Sequence, residues 1–219
     1  MDRPSFAALS TKQLLHKRPA ILLIGAPGSG KGTQGKILGT IPRFFHFACG
    51  DVFRSLDTRT TLGQKFVEYS SRGELVPDEL TVELWNTQMK NFVDSHLYKP
   101  DIDFLVLDGI PRNRRQAEIL EEHIVVHQVF HLSCPDRSEL ARRMRKRALK
   151  DNRLDDASDA VIETRIAAYE AETKPIMDYY DDSIITDIDA AKPPIEVLNA
   201  IIAKVISLPA YQEQAAIKA

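Results

Sequence analysis

This sequence lacks the features that mark a membrane, secreted or nucleic-acid-binding protein. No apolar stretch approaches the roughly 18 residues that a membrane-crossing helix needs. The first 18 residues lack the continuous apolar core of a secretory signal. We expect an extension there, and we favour a frayed tail or a surface-packed helix over an organellar presequence. The net charge is −2 with 27% charged residues, which gives no reason to expect a surface for nucleic acid or another polyanion.

Cysteine is also scarce. Cys49 and Cys134 are the only two, and they form neither a metal-binding spacing nor a disulfide framework. That usage fits a reducing compartment, so we expect a cytoplasmic protein. A chain of 219 residues can bury one good core, so we expect an extension at residues 1–18 and a single domain over residues 19–219.

Short apolar strands alternate with helices along the chain. The strand candidates are Ala20–Ile24, Phe44–Phe47, Phe104–Leu107, Val129–Leu132 and Ser183–Thr186. The helix candidates are Lys31–Leu38, Asp78–Leu97, Asn113–His123, Asp136–Lys150, Ser158–Asp181 and Pro194–Val205. Pro175 should kink the fifth of these helices. The alternation predicts an α/β fold with a parallel five-stranded sheet and helices on both faces, whose ligands bind at the carboxyl ends of the strands.

A glycine-rich loop, Gly-Ala-Pro-Gly-Ser-Gly-Lys-Gly-Thr, runs from Gly25 to Thr33 directly after the first strand. Its backbone N–H groups, its lysine and the positive end of the next helix would converge on a polyphosphate. The usual pattern places Ser or Thr after the lysine, whereas here Gly32 stands there. A dinucleotide pattern also fits through Gly30, Gly32 and Gly35, but its first glycine should follow the strand at once. We therefore predict a phosphate-binding loop in a fold of the P-loop NTPase type.

Polar residues follow the second and third strands as well. Asp51 can cap a helix, which is its ordinary structural use. Asp108 ends a buried strand beside the phosphate loop and is a natural partner for Mg²⁺, often through water. Gly109 allows close backbone approach, and Arg112 can fork onto phosphate oxygens. Gln116 carries an amide suited to the edge of a base, although an exposed helix residue is the simpler interpretation.

Arginines recur at spacings that would serve phosphate. Arg54 follows Asp51 by one turn, where it could pair with a phosphate or be a surface side chain. Arg143 and Arg147 share one helix face, Arg153 lies in a short polar loop, and Arg165 returns on the next helix. The alternative for this set is a solvated basic helix.

Together these motifs resemble the nucleoside monophosphate kinases, and most closely the adenylate kinases. The loop of that family is typically G-x-P-G-x-G-K-G-T, and this chain carries it complete. The resemblance spans roughly residues 20–206 and continues through these segments: Gly50-Asp51 with Arg54, Gly73-Glu74-Leu75-Val76-Pro77-Asp78, Asp108-Gly109-Ile110-Pro111-Arg112, Arg153-Leu154-Asp155-Asp156, Arg165 and Asp189-Ala190-Ala191-Lys192. Five residues separate Arg147 from Arg153, which resembles the short-lid subclass.

The resemblance implies reversible phosphoryl transfer from MgATP to AMP, giving two ADP, with Mg²⁺ as cofactor. The implied ATP contacts are Gly28, Ser29, Gly30, Lys31, Gly32, Thr33, Arg147 and Lys192. The implied AMP contacts are Cys49, Arg54, Glu74, Leu75, Val76, Gly109, Arg112, Gln116, Arg153 and Arg165. The implied catalytic groups are Lys31, Arg112, Arg143, Arg147, Arg153 and Arg165. Asp108, with Asp51 behind it, would organise waters around Mg²⁺.

By the same resemblance, two mobile segments would close over the substrates. They are an acceptor-binding region of about residues 48–77 and a lid of about residues 147–157. We expect a monomer that binds ATP, AMP and ADP and has no nucleic-acid or membrane partner.

Two residues bear on which monophosphate is the acceptor. Adenylate kinases favour threonine where Cys49 stands, which weakens the assignment to AMP. Gln116 argues the other way, because the pyrimidine-directed relatives tend to carry asparagine there. A UMP or CMP kinase and a non-catalytic nucleotide-binding regulator therefore remain alternatives. We also expect Cys49, near a helix start and a cationic site, to have a lowered thiol pKa unless it is buried and inert.

Overall fold

The computed structural model describes residues 17–151, 153 and 158–216 of the chain, with side chains as far as residue 213. Most of the extension predicted at residues 1–18, lid residues 152 and 154–157, and the last three residues lie outside this part. Among the described residues, no helix combines the length and the apolar character needed to cross a bilayer.

The core of the fold is a five-stranded sheet in which every neighbouring pair is parallel, as the alternating pattern predicts. The strands lie in the order β2-β3-β1-β4-β5. They are β1 Arg18–Gly25, β2 Phe44–Ala48, β3 Phe104–Asp108, β4 Ile124–Ser133 and β5 Ile185–Asp189. Asp108 pairs with Leu23 of β1 and with Ala48 of β2. The carboxyl ends of these three neighbouring strands therefore lie side by side.

Helices cover both faces of the sheet. They are α1 Lys31–Leu38, α2 Cys49–Arg54, α3 Thr61–Arg72, α4 Asp78–Asp94, α5 Arg114–Leu120, α6 Arg137–Asp151, α7 Asp159–Ala168, α8 Pro194–Ile206 and α9 Pro209–Ala216. In β1, Ala20, Leu22 and Ile24 belong to one apolar cluster, whereas Ile21 and Leu23 belong to the other. This period of two shows that the central strand is buried on both sides, as expected for a parallel sheet between helical layers.

The two faces hold different helices. The first cluster includes Trp85 and Met89 of α4 and Leu120 of α5. The second includes Leu38 of α1 and Met144 of α6. The phosphate loop leads into α1. Because α1 packs on the sheet through the second cluster, this packing fixes the direction in which its N-terminus points.

Several boundaries differ from the prediction. α2 begins at Cys49, so Asp51 lies in its first turn and is not its cap. α3 was not predicted, although Thr60 caps it through a hydrogen bond from the Gly63 N–H and Gly73 ends it at φ 75°. β5 starts later than predicted because Asp181 caps a 3₁₀ turn over Asp182–Ile184.

The long helix predicted at Ser158–Asp181 is divided. Ser158 caps α7 through a hydrogen bond from the Val161 N–H. The chain then forms a π-helical turn over Tyr169–Thr173 and a 3₁₀ turn over Lys174–Asp178. Pro175 lies near the start of the 3₁₀ turn, and its missing N–H and its ring prevent the α-helix from continuing through it.

Candidate active site

A single cleft of about 1100 Å³ opens at the carboxyl ends of the central strands, and all the predicted site residues line it. Those from the phosphate loop and from residues 49–76 are Gly28, Ser29, Gly30, Lys31, Gly32, Thr33, Cys49, Asp51, Arg54, Glu74, Leu75 and Val76. Those from later in the chain are Asp108, Gly109, Arg112, Gln116, Arg143, Arg147, Arg153, Arg165 and Lys192. The structure thus brings together residues that are widely separated in the sequence.

The phosphate loop bends through two glycines in the left-handed region. Gly28 has φ 85° and Gly30 has φ 99°. A Cβ at Gly28 would lie 2.8 Å from the carbonyl oxygen of Leu140, so the loop packs against α6 where only glycine fits. Gly30 is the N-cap of α1 and has no side chain with which to cap it. The first N–H groups of α1 can therefore bind an anion, and the positive end of the helix dipole also favours an anion there.

Lys31 folds back onto its own loop. Its Nζ donates to the carbonyl oxygens of Gly25 at 2.6 Å and Ala26 at 3.0 Å. Burial, together with the positive charges of nearby arginines, lowers the pKa of Lys31 to about 8, against the opposing effect of Asp108. A polyphosphate that binds in the loop would therefore stabilise the charged ammonium form of Lys31.

Asp51 is enclosed by cations. Its Oδ1 accepts hydrogen bonds from Arg54 Nη2 at 2.8 Å and from Arg153 Nη2 at 3.0 Å, and Lys36 Nζ lies 3.5 Å from its Oδ2. Burial acts to raise the pKa of Asp51, but the hydrogen bond from Arg54 and the surrounding positive charges outweigh it and leave the pKa below its usual value. In this state the carboxylate of Asp51 holds arginines, whereas the sequence predicts a role near a metal.

Asp108 lies closer to the phosphate loop. A Cβ at Gly32 would be 3.4 Å from its Oδ2, so glycine at this position leaves space between the carboxylate and the start of α1. His46 Nε2 is 3.7 Å from the same oxygen, and both side chains are about nine-tenths buried. Sequence reasoning missed His46. The alternation of β2 was its signal, since His46 shares a strand face with Phe44, which packs in the second cluster.

The described residues contain no cluster of three His, Cys, Asp or Glu side chains that could hold a metal ion. Mg²⁺ in nucleotide sites is commonly bound by one or two carboxylates, several waters and the substrate phosphates. Asp108, largely buried beside the loop, fits that chemistry. Asp51 fits it less well because cations already occupy its oxygens.

Arg112 and Gln116 are held together at the end of β3. Arg112 Nε donates to the carbonyl oxygen of Gly109 at 2.9 Å, and its backbone N–H donates to Gln116 Oε1 at 2.8 Å. Gly109 has φ 78°, the left-handed conformation that allows this tight turn. Thr173, which the sequence did not single out, donates from Oγ1 to the carbonyl oxygen of Arg112 at 2.7 Å. Gln116 is 1% exposed, so its interpretation as an exposed helix residue is wrong.

The remaining cations reach the cleft from α6, α7 and the loop after β5. Arg143 donates from Nε to Glu139 and from Nη1 to the carbonyl oxygen of Ala190, both at 2.7 Å, which ties α6 to that loop. The charges of Arg147, Arg112 and Arg165 all act on Lys31. Lys192 is exposed at the rim. These contacts identify a cationic pocket and not merely a solvated basic helix.

Cys49 corrects one expectation. Its thiol is buried, and burial raises its pKa to about 11, although Arg112 and Arg54 act in the opposite direction. The first turn of α2 therefore does not activate it, because loss of hydration outweighs the nearby positive charge. Of the two alternatives, the structure supports the buried thiol, and its lack of reactivity stays a prediction.

The fold and the cleft define a nucleotide phosphotransferase of the P-loop class. The sequence pattern of the family described as "Adenylate kinase" matches residues 23–185. An adenylate kinase of a Cyanothece species is 36% identical over 191 residues, covering 83% of this chain and 92% of the relative. An adenylate kinase of Thermobifida fusca is 36% identical over 184 residues, covering 81% and 93%. One from Dehalococcoides mccartyi is 32% identical over 219 residues, covering 84% and 97%. This chain belongs to the adenylate kinase family.

Proposed function

We propose that this protein catalyses the reversible transfer of the γ-phosphoryl group of ATP to AMP, giving two ADP. The observation that carries the proposal is the cleft itself. The phosphate loop with Lys31 lines it, and so do Arg54 and the segment Glu74–Val76. Arginines from α6, α7 and the ends of the strands line the same cleft. A cleft lined by cations from several parts of the chain suits two nucleotides whose phosphates meet there.

On the donor side, the N–H groups of residues 28–33 and the Lys31 ammonium would hold the ATP phosphates. Arg147 lines the same part of the cleft, and the backbone near Lys192 would border the adenine. On the acceptor side, Arg54, Arg112, Arg153 and Arg165 would bind the monophosphate. Cys49, Gly109, Gln116 and residues 74–76 would frame the acceptor base. Each assignment is supported by the position of the residue at the cleft.

The chemistry needs positioning more than it needs a base. A phosphomonoester has its second pKa near 6, so the attacking oxygen of AMP is already largely ionised at neutral pH. That oxygen attacks the γ-phosphorus of ATP, a new P–O bond forms, and the bond to the β–γ bridging oxygen breaks, leaving ADP. The barrier is electrostatic, because two anions must approach and charge spreads over the transferred group. Lys31 and the arginines, held in a partly buried cleft, stabilise that charge.

Mg²⁺ fits this site as the cofactor of the nucleotide phosphates. When bound, it neutralises phosphate charge and orients the phosphate oxygens. Asp108 would hold it, directly or through water, and Gly32 leaves room beside that carboxylate. Asp51 would join only if its arginine partners moved onto phosphate.

Closure would protect the reaction from water. We propose that residues of about 48–77 and 147–157 move over the bound nucleotides and complete the arginine set only when both are present. Hydrolysis of ATP without acceptor is then slow. We further propose that the protein acts in the cytoplasm as a monomer and binds neither nucleic acid nor membranes.

The test is a panel of acceptors. Initial rates with MgATP are measured with AMP, CMP, UMP and GMP under identical conditions. The proposal expects AMP to have the highest kcat/KM by a wide margin. A preference for UMP or CMP would contradict the choice of acceptor, and nucleotide binding without turnover of any acceptor would indicate a regulator instead of an enzyme.

A further inference from the structure

Asp78 lies behind Gln116 and makes contact with its amide. The Oδ1 of Asp78, at the start of α4, accepts hydrogen bonds from Gln116 Nε2 and from Asn113 Nδ2, both at 2.8 Å. Asn113 in turn caps α5 by accepting from the Gln116 N–H at 2.9 Å. Gln116 lines the cleft, whereas Asp78 and Asn113 line a separate recess and are absent from the cleft wall. Asp78 therefore reaches the cleft only through Gln116.

These partners fix which way the amide of Gln116 points. The backbone N–H of Arg112 can only donate, so the atom facing it at 2.8 Å must be the amide oxygen. The carboxylate of Asp78 can only accept, so the atom facing it must be the NH₂ group. A flip of the amide would place donor against donor and acceptor against acceptor. Because Gln116 is 1% exposed, water has little access to relieve that mismatch.

A locked amide still has hydrogen-bonding capacity to offer. Glutamine has two N–H donors and two lone pairs on its oxygen, and the protein contacts above use one of each. One donor and one acceptor are left, in a fixed order along the amide. A base edge that pairs with them must place an acceptor opposite the remaining N–H and a donor opposite the remaining lone pair. A 6-amino purine has a donor at position 6 and an acceptor at N1, whereas its 6-oxo analogue has an acceptor at position 6 and a donor at N1.

We propose that Asp78 is a positioning residue that sets the selectivity of the acceptor site for an amino-substituted over an oxo-substituted base. This inference rests on the proposed function, because it needs Gln116 to face the acceptor base. AMP and IMP are the matched pair. They share ribose, phosphate and ring shape, and differ in the exocyclic group at position 6 and in the proton on N1. Without Asp78 the amide loses one of the two partners that forbid its flip, so IMP is rejected less strongly.

The experiment measures the ratio of kcat/KM for AMP to that for IMP, with MgATP as donor. In Asp78→Ala we expect the ratio to fall about tenfold, the effect of losing a hydrogen bond to a charged group. The KM for ATP stays unchanged. The matched control is Glu79→Ala, which removes the neighbouring first-turn carboxylate of α4. This side chain is exposed, and its loss should leave the ratio at the wild-type value.

A second background separates positioning from general damage. In Gln116→Leu the ratio should already be low, and adding Asp78→Ala should lower it no further. An unchanged ratio in Asp78→Ala, or an equal fall in the Gln116→Leu background, would overturn the inference while leaving AMP kinase activity in place. Loss of the proposed function looks different, since wild-type protein would then fail to phosphorylate AMP at all.

A measurement on wild-type protein keeps the inference testable if Asp78→Ala does not fold. The side-chain amide of Gln116 is followed by ¹H–¹⁵N NMR while AMP and then IMP are added. We expect two widely separated and slowly exchanging amide protons, of which AMP shifts mainly one. Equal, rapidly exchanging protons that respond alike to both nucleotides would refute a locked amide.

Discussion

Arg153 donates a hydrogen bond of 3.0 Å to Oδ1 of Asp51, although the two residues are 102 positions apart. Arg153 follows α6, and Asp51 lies in α2. Arg54 donates to the same oxygen at 2.8 Å. One carboxylate oxygen thus holds guanidinium groups from two distant segments, and we propose that a phosphate oxygen takes its place when nucleotides bind.

Arg153→Lys tests whether this guanidinium serves the reaction. Lysine keeps the charge but loses the planar fork that binds two oxygens at once. An arginine that stabilises phosphoryl transfer is worth about 10³-fold or more in kcat, so we expect a loss of that order, measured as initial rates of ADP formation. Arg145→Lys is the control, because Arg145 pairs with Asp159 at 2.8 Å away from the cleft wall. Equal rates for both variants would contradict the assignment.

The sheet and the cleft follow from strong local signals. The apolar runs predict the strands. The glycines of residues 25–33, with Lys31 among them, are typical of a phosphate-binding loop and of few other structures. The rule that ligands bind at the carboxyl ends of parallel strands brought the segments after β1, β2 and β3 together. The resemblance to a family supplied the pairing of individual residues with ATP or AMP.

Other features depend on contacts that no local pattern encodes. The burial of Cys49 is a tertiary property, and it reversed the expected direction of its pKa. The hydrogen bond from Gln116 to Asp78 joins residues 38 positions apart and has no spacing rule. α3 was missed although Leu62 and Phe66 recur at helical spacing between a cap and a terminal glycine, because most of its residues lie at the surface.

The pKa of Lys31 predicts proton uptake when ATP binds. Burial lowers this pKa to about 8, well below that of an exposed lysine, so the neutral amine prevails above that pH in the free protein. Bound phosphates favour the charged ammonium and raise the pKa. At about pH 8.5 we therefore expect ATP binding to take up protons, measured by calorimetry in buffers of different ionisation enthalpy. Lys31→Met should abolish most of this uptake. An undiminished uptake in this variant would show that the protons bind to another group.

Cys49 is expected to resist alkylation in the folded protein. A buried thiol with a pKa of about 11 carries little thiolate at pH 8 and gives little access to iodoacetamide. Mass spectrometry should show Cys49 labelled far more slowly than a free thiol, and labelled fully once the protein is denatured. Native labelling at the rate of free cysteine, slowed by AMP, would restore the activated-thiol hypothesis.

Gly35 tests how α1 is seated over the sheet. A Cβ at this position would lie 2.3 Å from Nε2 of His46, whose ring is largely buried. The gain in helix propensity from Gly35→Ala is about 1 kcal/mol. Overpacking costs about 1–3 kcal/mol, so we expect net destabilisation in urea unfolding. Adding His46→Ala removes the obstacle and should recover part of the loss. Strictly additive losses in the double variant would contradict direct packing.

The most direct test of the whole account is Lys31→Met, followed by ³¹P NMR of ATP and AMP converting to ADP. In the free protein its ammonium donates to the carbonyl oxygens of Gly25 and Ala26 within its own loop, so we expect the variant to fold and the melting temperature to change little. If cations gathered from distant parts of the chain stabilise a phosphoryl group in transit, ADP formation should fall by orders of magnitude. Near-normal conversion by a folded Lys31→Met protein would contradict that claim.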